Sequence, residues 1–240
     1  MHRYIDNFQQ KLHSFFNQMV LGPAFVQLSN FVSNPKEIDI TVTLARGVTS
    51  EPAPLADIIH HAAAVGAGTT ELFQVRAIAA WNDLLTEIFG SFVSSHLEEK
   101  GKHSNLGQIK GQIDFSSDEP VLKQIQRTII IDFGFLPYDK RIRTVKKLCS
   151  VQDTIDTDLK LVSQHVEIRN SLQHHNGKVT KDLLKNIGNN KLELLNPEGD
   201  KSTFTEGERI LLSIPDLNEL KSALYRITMK WRAGNADIPA

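Results

Sequence analysis

The feature that most narrows the fold is an apolar period of about 3.6 residues that returns in segment after segment. Between residues 70 and 99, Leu72, Val75, Ile78, Ala79, Leu84, Leu85, Ile88, Phe89 and Phe92 follow it. They predict a long helix with one buried stripe, opened by Thr69-Thr70 as its N-cap and closed at Lys100-Gly101. Tyr4, Phe8, Leu12, Phe15, Phe16 and Met19 predict a helix over 3–20, broken at Gly22-Pro23, with a further short apolar run from Phe25 to Val32. A short Ala-rich helix over 56–66 precedes the long one. Helices are also expected over Val121–Phe133, from Pro137 to about Cys149, over Asp153–His175, over Val179–Ile187 and from Pro215 to about Trp231. Ile129-Ile130-Ile131 suits a strand equally well by propensity.

The period changes to two in two places. Ile38 to Leu44 alternates like a strand inside a stretch punctuated by Pro35, Gly47, Pro52 and Pro54. Leu192–Leu195 and Arg209–Ile214 flank a turn-rich middle and suggest a hairpin. The expected fold is therefore all-α: a helical bundle with a small β-hairpin near the C-terminus. Its expected organisation is residues 1–68 as N-terminal helices and an irregular insertion packed on the bundle, and 69–235 as the helical domain.

Composition excludes several classes. The net charge is -1, so no overall basic excess points to nucleic acid. Cys149 is the single cysteine, which excludes a disulfide framework and a Cys-rich metal site and reads as a small buried hydrophobe. No apolar run reaches membrane-spanning length and no signal-peptide pattern opens the chain, so a cytoplasmic protein without membrane contact is expected. Nucleotide-binding and hydrolase loop motifs are absent. His60-His61 and His174-His175 are adjacent pairs that diverge by about 100° on a helix, so no metal and no cofactor are expected.

The chemistry concentrates in Arg169-Asn170-Ser171-Leu172-Gln173-His174. On the 155–175 helix, Ile155, Leu159, Val162 and Val166 form an apolar seam, with Leu161, His165, Ile168 and Leu172 beside it. Arg169 falls inside this arc, where desolvating a guanidinium costs several kcal/mol unless something satisfies it. Asn170 and His174, four residues apart, share the adjoining face. A fixed cation, an amide and an imidazole together can hold a phosphate and move a proton. An arginine paired with a core carboxylate, beside a histidine covering a helix end, stays open as the alternative. His165 reads as a core or interface residue, and Trp81 and Trp231 as packing residues.

The stretch VEIRNSLQHHNGKVTKDLL resembles the HEPN superfamily, whose hallmark is Arg followed after four to six residues by His, most often as Arg-Asn-x-x-x-His. Arg169, Asn170 and His174 match that form without a gap. The specific part covers about 20 residues, and residues 1–68 lie outside the resemblance. The resemblance implies a helical bundle that forms a homodimer with the two motif helices facing. It further implies a metal-independent ribonuclease whose arginines and histidines share a cleft around the scissile phosphate. On that reading Arg169 stabilises phosphate charge, His174 transfers protons, and Asn170 orients the phosphate or His174. It also implies RNA as partner, with a defence or toxin role and an antitoxin or regulatory protein beside it. Other members of the family lack catalysis and bind a protein or nucleic acid. A helical transcription-linked regulator is a third reading. Some families add an acidic and a basic residue on an early helix, for which Glu71 and Arg76 are the candidates.

Lys140, Arg143 and Lys147 share one helix face and are the candidate RNA-binding residues. Across 121–150 there are seven Lys or Arg (Lys123, Arg127, Lys140, Arg141, Arg143, Lys146, Lys147) against two acids, Asp132 and Asp139. A solvated helix surface explains the same pattern.

Overall fold

The chain, seen in a computed structural model, is described at residues 1–29, 31–41, 51–100, 103, 106, 113–149 and 156–234. Seven α-helices carry the fold among these residues: α1 (His2–Ser29), α2 (Leu55–Leu97), α3 (Val121–Phe135), α4 (Tyr138–Leu148), α5 (Asp156–His174), α6 (Lys181–Ile187) and α7 (Ile214–Gly234). A 3-10 turn spans Pro35–Glu37. Two small antiparallel pairs complete it: β1 (Asp39–Ile40) with β2 (Ala53–Pro54), and β3 (Leu192–Leu195) with β4 (Lys201–Phe204). The expected all-α bundle with a small hairpin is the fold. No helix of the described residues is long and apolar enough to cross a membrane.

The 43-residue α2 is the axis, and α1, α3, α4, α5 and α7 all pack on it. Its buried side chains recur at 73, 77, 78, 80, 81, 84, 85, 88, 89, 92 and 93. The stripe expected from the sequence is therefore correct in period but offset at its start. Leu72 is 47% exposed, and Phe73 and Trp81 take the inward positions. Trp81 stacks on Trp231 of α7 at 5.2 Å, with Phe8 of α1 5.9 Å away. Its indole N–H donates to the Tyr138 hydroxyl at 3.0 Å. Ring contacts and one hydrogen bond thus tie four helices to one side chain. Cys149 is buried, which pushes its thiol up to about 12.

Several expected breaks are absent. α1 runs through Gly22-Pro23, losing one i→i−4 bond at Pro23 instead of ending. α2 runs through Gly66, Gly68 and Thr69-Thr70, so Thr69 is no N-cap. The boundary expected at 68/69 falls inside that helix, and the main core draws residues from both sides of it. In both cases the helix continues against local propensity. α3 is helical because Ile129 and Phe133, four apart, are buried together while Ile131 is half exposed. A strand would have put Ile129 and Ile131 on one face. Of the expected strand over 38–44, Asp39–Ile40 is one, and residues 42–44 lie outside the described residues.

The hairpin's second arm is Lys201–Phe204, not Arg209–Ile214. The five-residue turn holds itself: Asn196 N donates to Asp200 O at 2.8 Å, and Gly199 has φ +88. Arg209 instead bridges to Lys178, and Ile210 enters a second small core with Ile168, Val179, Leu183, Leu184, Leu192 and Leu194.

We expect Leu85→Ala to cost about 2–5 kcal/mol in urea unfolding, because Leu85 is fully buried in α2. Leu72→Ala is expected to cost less than about 1 kcal/mol. Equal costs would contradict the phase assigned to α2.

Candidate functional site at the end of α5

Helix α5 joins the two cores. Val162 and Val166 belong to the large one, and Ile168 to the small one. The Arg169–His174 segment lies at this junction. Arg169 is half-buried. Its Nη1 donates to Asn170 Oδ1 at 3.3 Å, and its Nε is buried without a hydrogen-bond partner among the described residues. No carboxylate of those residues forms an ion pair with it. Asn170 is half-buried and His174 exposed, as the four-residue spacing places them. The His174 and His175 rings are 6.5 Å apart.

The chain leaving the motif is fixed tightly. Ser171 is buried, and its hydroxyl donates to Lys178 O. Its carbonyl accepts from His175 N at 2.8 Å and Gly177 N at 3.1 Å. Asn176 and Gly177 take positive φ, +53 and +68, and close the helix as the Asn-Gly pair predicts. A Cβ on Gly177 would come 3.2 Å from Leu172 Cδ2. Ile210 N then donates to Gly177 O at 2.8 Å and Val179 N to Glu208 O at 2.8 Å. Thr180 caps α6 by accepting from Leu183 N at 3.1 Å. The motif therefore sits on a helix end whose exit has little freedom.

Lys140, Arg143 and Lys147 are all exposed on α4, as expected. They flank the opposite end of α5, however. Lys146 bonds Asp156 at 2.6 Å, and Tyr138, Ile142 and Arg143 share a groove with Leu159, Lys160 and Ser163. Asp156 precedes Arg169 by 13 residues, roughly 20 Å along the helix. Arg143 is also paired with Asp139. The structure pairs Arg169 with Asn170, places His174 one turn further along the same helix, and sets the basic patch apart from them.

Arg141, counted with that patch from sequence, is buried. It donates to Asn82 O at 2.9 Å, Asn82 Oδ1 at 3.3 Å and Thr86 Oγ1 at 3.2 Å, above the Phe133 ring. Glu71 meets Arg209 at 3.6 Å, beside the motif's exit. Arg76 faces α1, donating to Gln18 Oε1 at 3.0 Å and lying over Phe15. Glu71 and Arg76 thus do not converge. Among the described residues no three His, Cys, Asp or Glu side chains cluster as metal ligands, and the His61 side chain lies outside them.

His165 lies in the core, one of the two places the sequence offered for it, but its partners Gln74 and Asp216 were not legible there. His165, one turn before Arg169, is fully buried between α2 and α7. Gln74 Nε2 donates to His165 O at 2.7 Å and lies 3.3 Å from Nδ1. His165 Nε2 lies 3.6 Å from Asp216 Oδ2, and Asp216 Oδ1 accepts from Leu195 N at 3.0 Å. The one sequence hint was Asp216 directly after Pro215 at a helix start. Burial lowers His165 to about 3 and raises Asp216 to about 6.

The two shifts act on stability with opposite sign. The Asp216 contribution is complete below the ordinary value of 3.8 and is lost as pH rises through about 6. That of His165 is complete above 6.5 and is lost as pH falls toward about 3. Asp216→Asn removes the first loss alone. Its denaturation midpoint should gain on the wild type between about pH 4 and about pH 7. A difference that stays constant contradicts this assignment.

No protein-family model matches the chain, no curated protein matches it, and no solved structure matches it.

Proposed function

We propose that the chain is a metal-independent endoribonuclease of HEPN type that acts as a homodimer. The observation that carries the proposal is the Arg169 guanidinium. It is half-buried, has no ion-pair partner among the described residues, and shares a helix end with Asn170 and an exposed His174. A cation in that state is matched by a phosphate, which takes its fork of donors. The reaction is transesterification. The RNA 2′-OH attacks the adjacent phosphorus, the O2′–P bond forms and the P–O5′ bond breaks. One imidazole accepts the 2′ proton and a second donates to the departing O5′. The products are a 2′,3′-cyclic phosphate and a 5′-OH. Arg169 stabilises charge on the non-bridging oxygens, and Asn170 orients the phosphate or His174. By the resemblance, the second imidazole comes from the partner protomer of a homodimer. Lys140, Arg143 and Lys147, at the far end of α5, hold flanking RNA by charge alone. A defence or toxin role with an antitoxin or regulatory partner follows from the same resemblance.

A second reading is a catalytically silent bundle that binds a protein or nucleic acid. One observation favours it: the His174 ring has no hydrogen bond among the described residues, so none of them orients it as a general base.

Incubation of total RNA in EDTA with wild type, Arg169→Ala and His174→Ala separates them. Cleavage by the wild type should fall by roughly 10²–10⁴-fold in both variants. Absence of cleavage in all three proteins, with folding intact, overturns the nuclease reading and leaves the binding module.

A further inference from the structure

A second concave site lies on the bundle, away from the α5 helix end. A groove of about 390 Å³ opens between α1 and α7. That volume is within the ordinary range for small-molecule sites, about 300–1,000 Å³. Its walls follow helical spacing: Leu12 and His13 from α1, and Lys221, Ser222, Tyr225 and Arg226 from α7. Gln9 lies at one end, donating to Thr228 Oγ1 at 3.0 Å.

Three properties converge on one ligand chemistry. The lining contains three basic nitrogen groups and no carboxylate. Asp158 and Glu219 are the acids that act on Arg226, and neither lines the groove. By contrast, the groove between α4 and α5 includes Asp139 and Asp156. Next, Lys221 is a held cation without a carboxylate. Its ammonium sits 4.1 Å from the centre of the Phe16 ring, and it forms no ion pair among the described residues. Arg226 is fixed in place by Asp158, with Nε to Oδ1 and Oδ2 at 3.2 and 3.1 Å and Nη2 to Oδ1 at 2.7 Å. Finally, the groove has an apolar surface: Leu12 is buried at its base, and Tyr225 is 49% exposed.

We infer that this groove binds a small organic anion, an aromatic ring bearing one phosphate or carboxylate group. The ring lies against Leu12 and Tyr225, and the anionic group meets Lys221, with Ser222 and His13 as further donors. Lys221 supplies charge at little entropic cost, because the Phe16 ring already restrains its ammonium. The inference is independent of the nuclease reading.

Phenyl phosphate is the probe, titrated into the full chain and followed by NMR on the His13 and Tyr225 ring signals. Saturable shifts are expected, with inorganic phosphate and phenol each binding at least about tenfold more weakly. Lys221→Met keeps the stem on Phe16 and should weaken phenyl phosphate by about tenfold, while Lys221→Arg retains it. Arg169→Ala should bind the probe as the wild type does. The inference is overturned if phenyl phosphate does not bind, if inorganic phosphate binds equally well, if Lys221→Met binds unchanged, or if Arg169→Ala abolishes binding.

Discussion

The packing of five helices, α1, α3, α4, α5 and α7, on α2 is the constraint from which the architecture follows. Trp81 makes the point at a single residue. Fully buried, it stacks on Trp231, touches Phe8 and donates to Tyr138. Aromatic pairs of this kind add about 0.5–1.5 kcal/mol beyond their buried area. They also fix where α7 and α4 lie. α5 is then held from two sides, by Gln74 of α2 at His165 and by Asp158 bonding Arg226 of α7. Further along, Ile168 starts the second core and Ser171 anchors the exit. The motif's direction is therefore a consequence of packing far from it.

Two arginines show how burial separates structure from chemistry. Arg141 is buried, its two terminal nitrogens have three acceptors on α2 and it lies over Phe133, while its Nε, like that of Arg169, has no partner among the described residues. Its α4 location had suggested a surface cation. Arg169 has one weak internal acceptor and an Nε with none among the described residues. Leaving a buried donor unmet costs about 1–3 kcal/mol. What sets Arg169 apart is that its terminal nitrogens have a single internal acceptor and that it shares a helix end with an amide and an exposed imidazole.

Much of the fold was legible because helical period is a strong signal over long segments. α3, α4, α6 and α7 lie where period, proline and glycine placed them. The legible part of the site was the i, i+4 relation of Asn170 to His174 and the inward turn of Arg169. The rest depended on distance in space. Gly66-Ala67-Gly68-Thr69-Thr70 reads as a break by propensity, yet α2 runs through it. Leu72 and Phe73 are both apolar, and it is Phe73 that turns inward, against Phe16 of α1. The Lys178–Arg209 bridge spans 31 positions and displaced the expected second strand. Gln74, His165 and Asp216 carry no local pattern at all, since each comes from a different helix.

The central claim is that two copies of the α5 end face one another around a shared cleft. Spin labels on Gln173→Cys, which is exposed next to His174, test it by dipolar spectroscopy. The native thiol, Cys149, is buried and inert by comparison. The account predicts a short, well-defined distance between protomers that disappears on dilution with unlabelled chain. A protein that cleaves RNA while showing no coupling between protomers contradicts it.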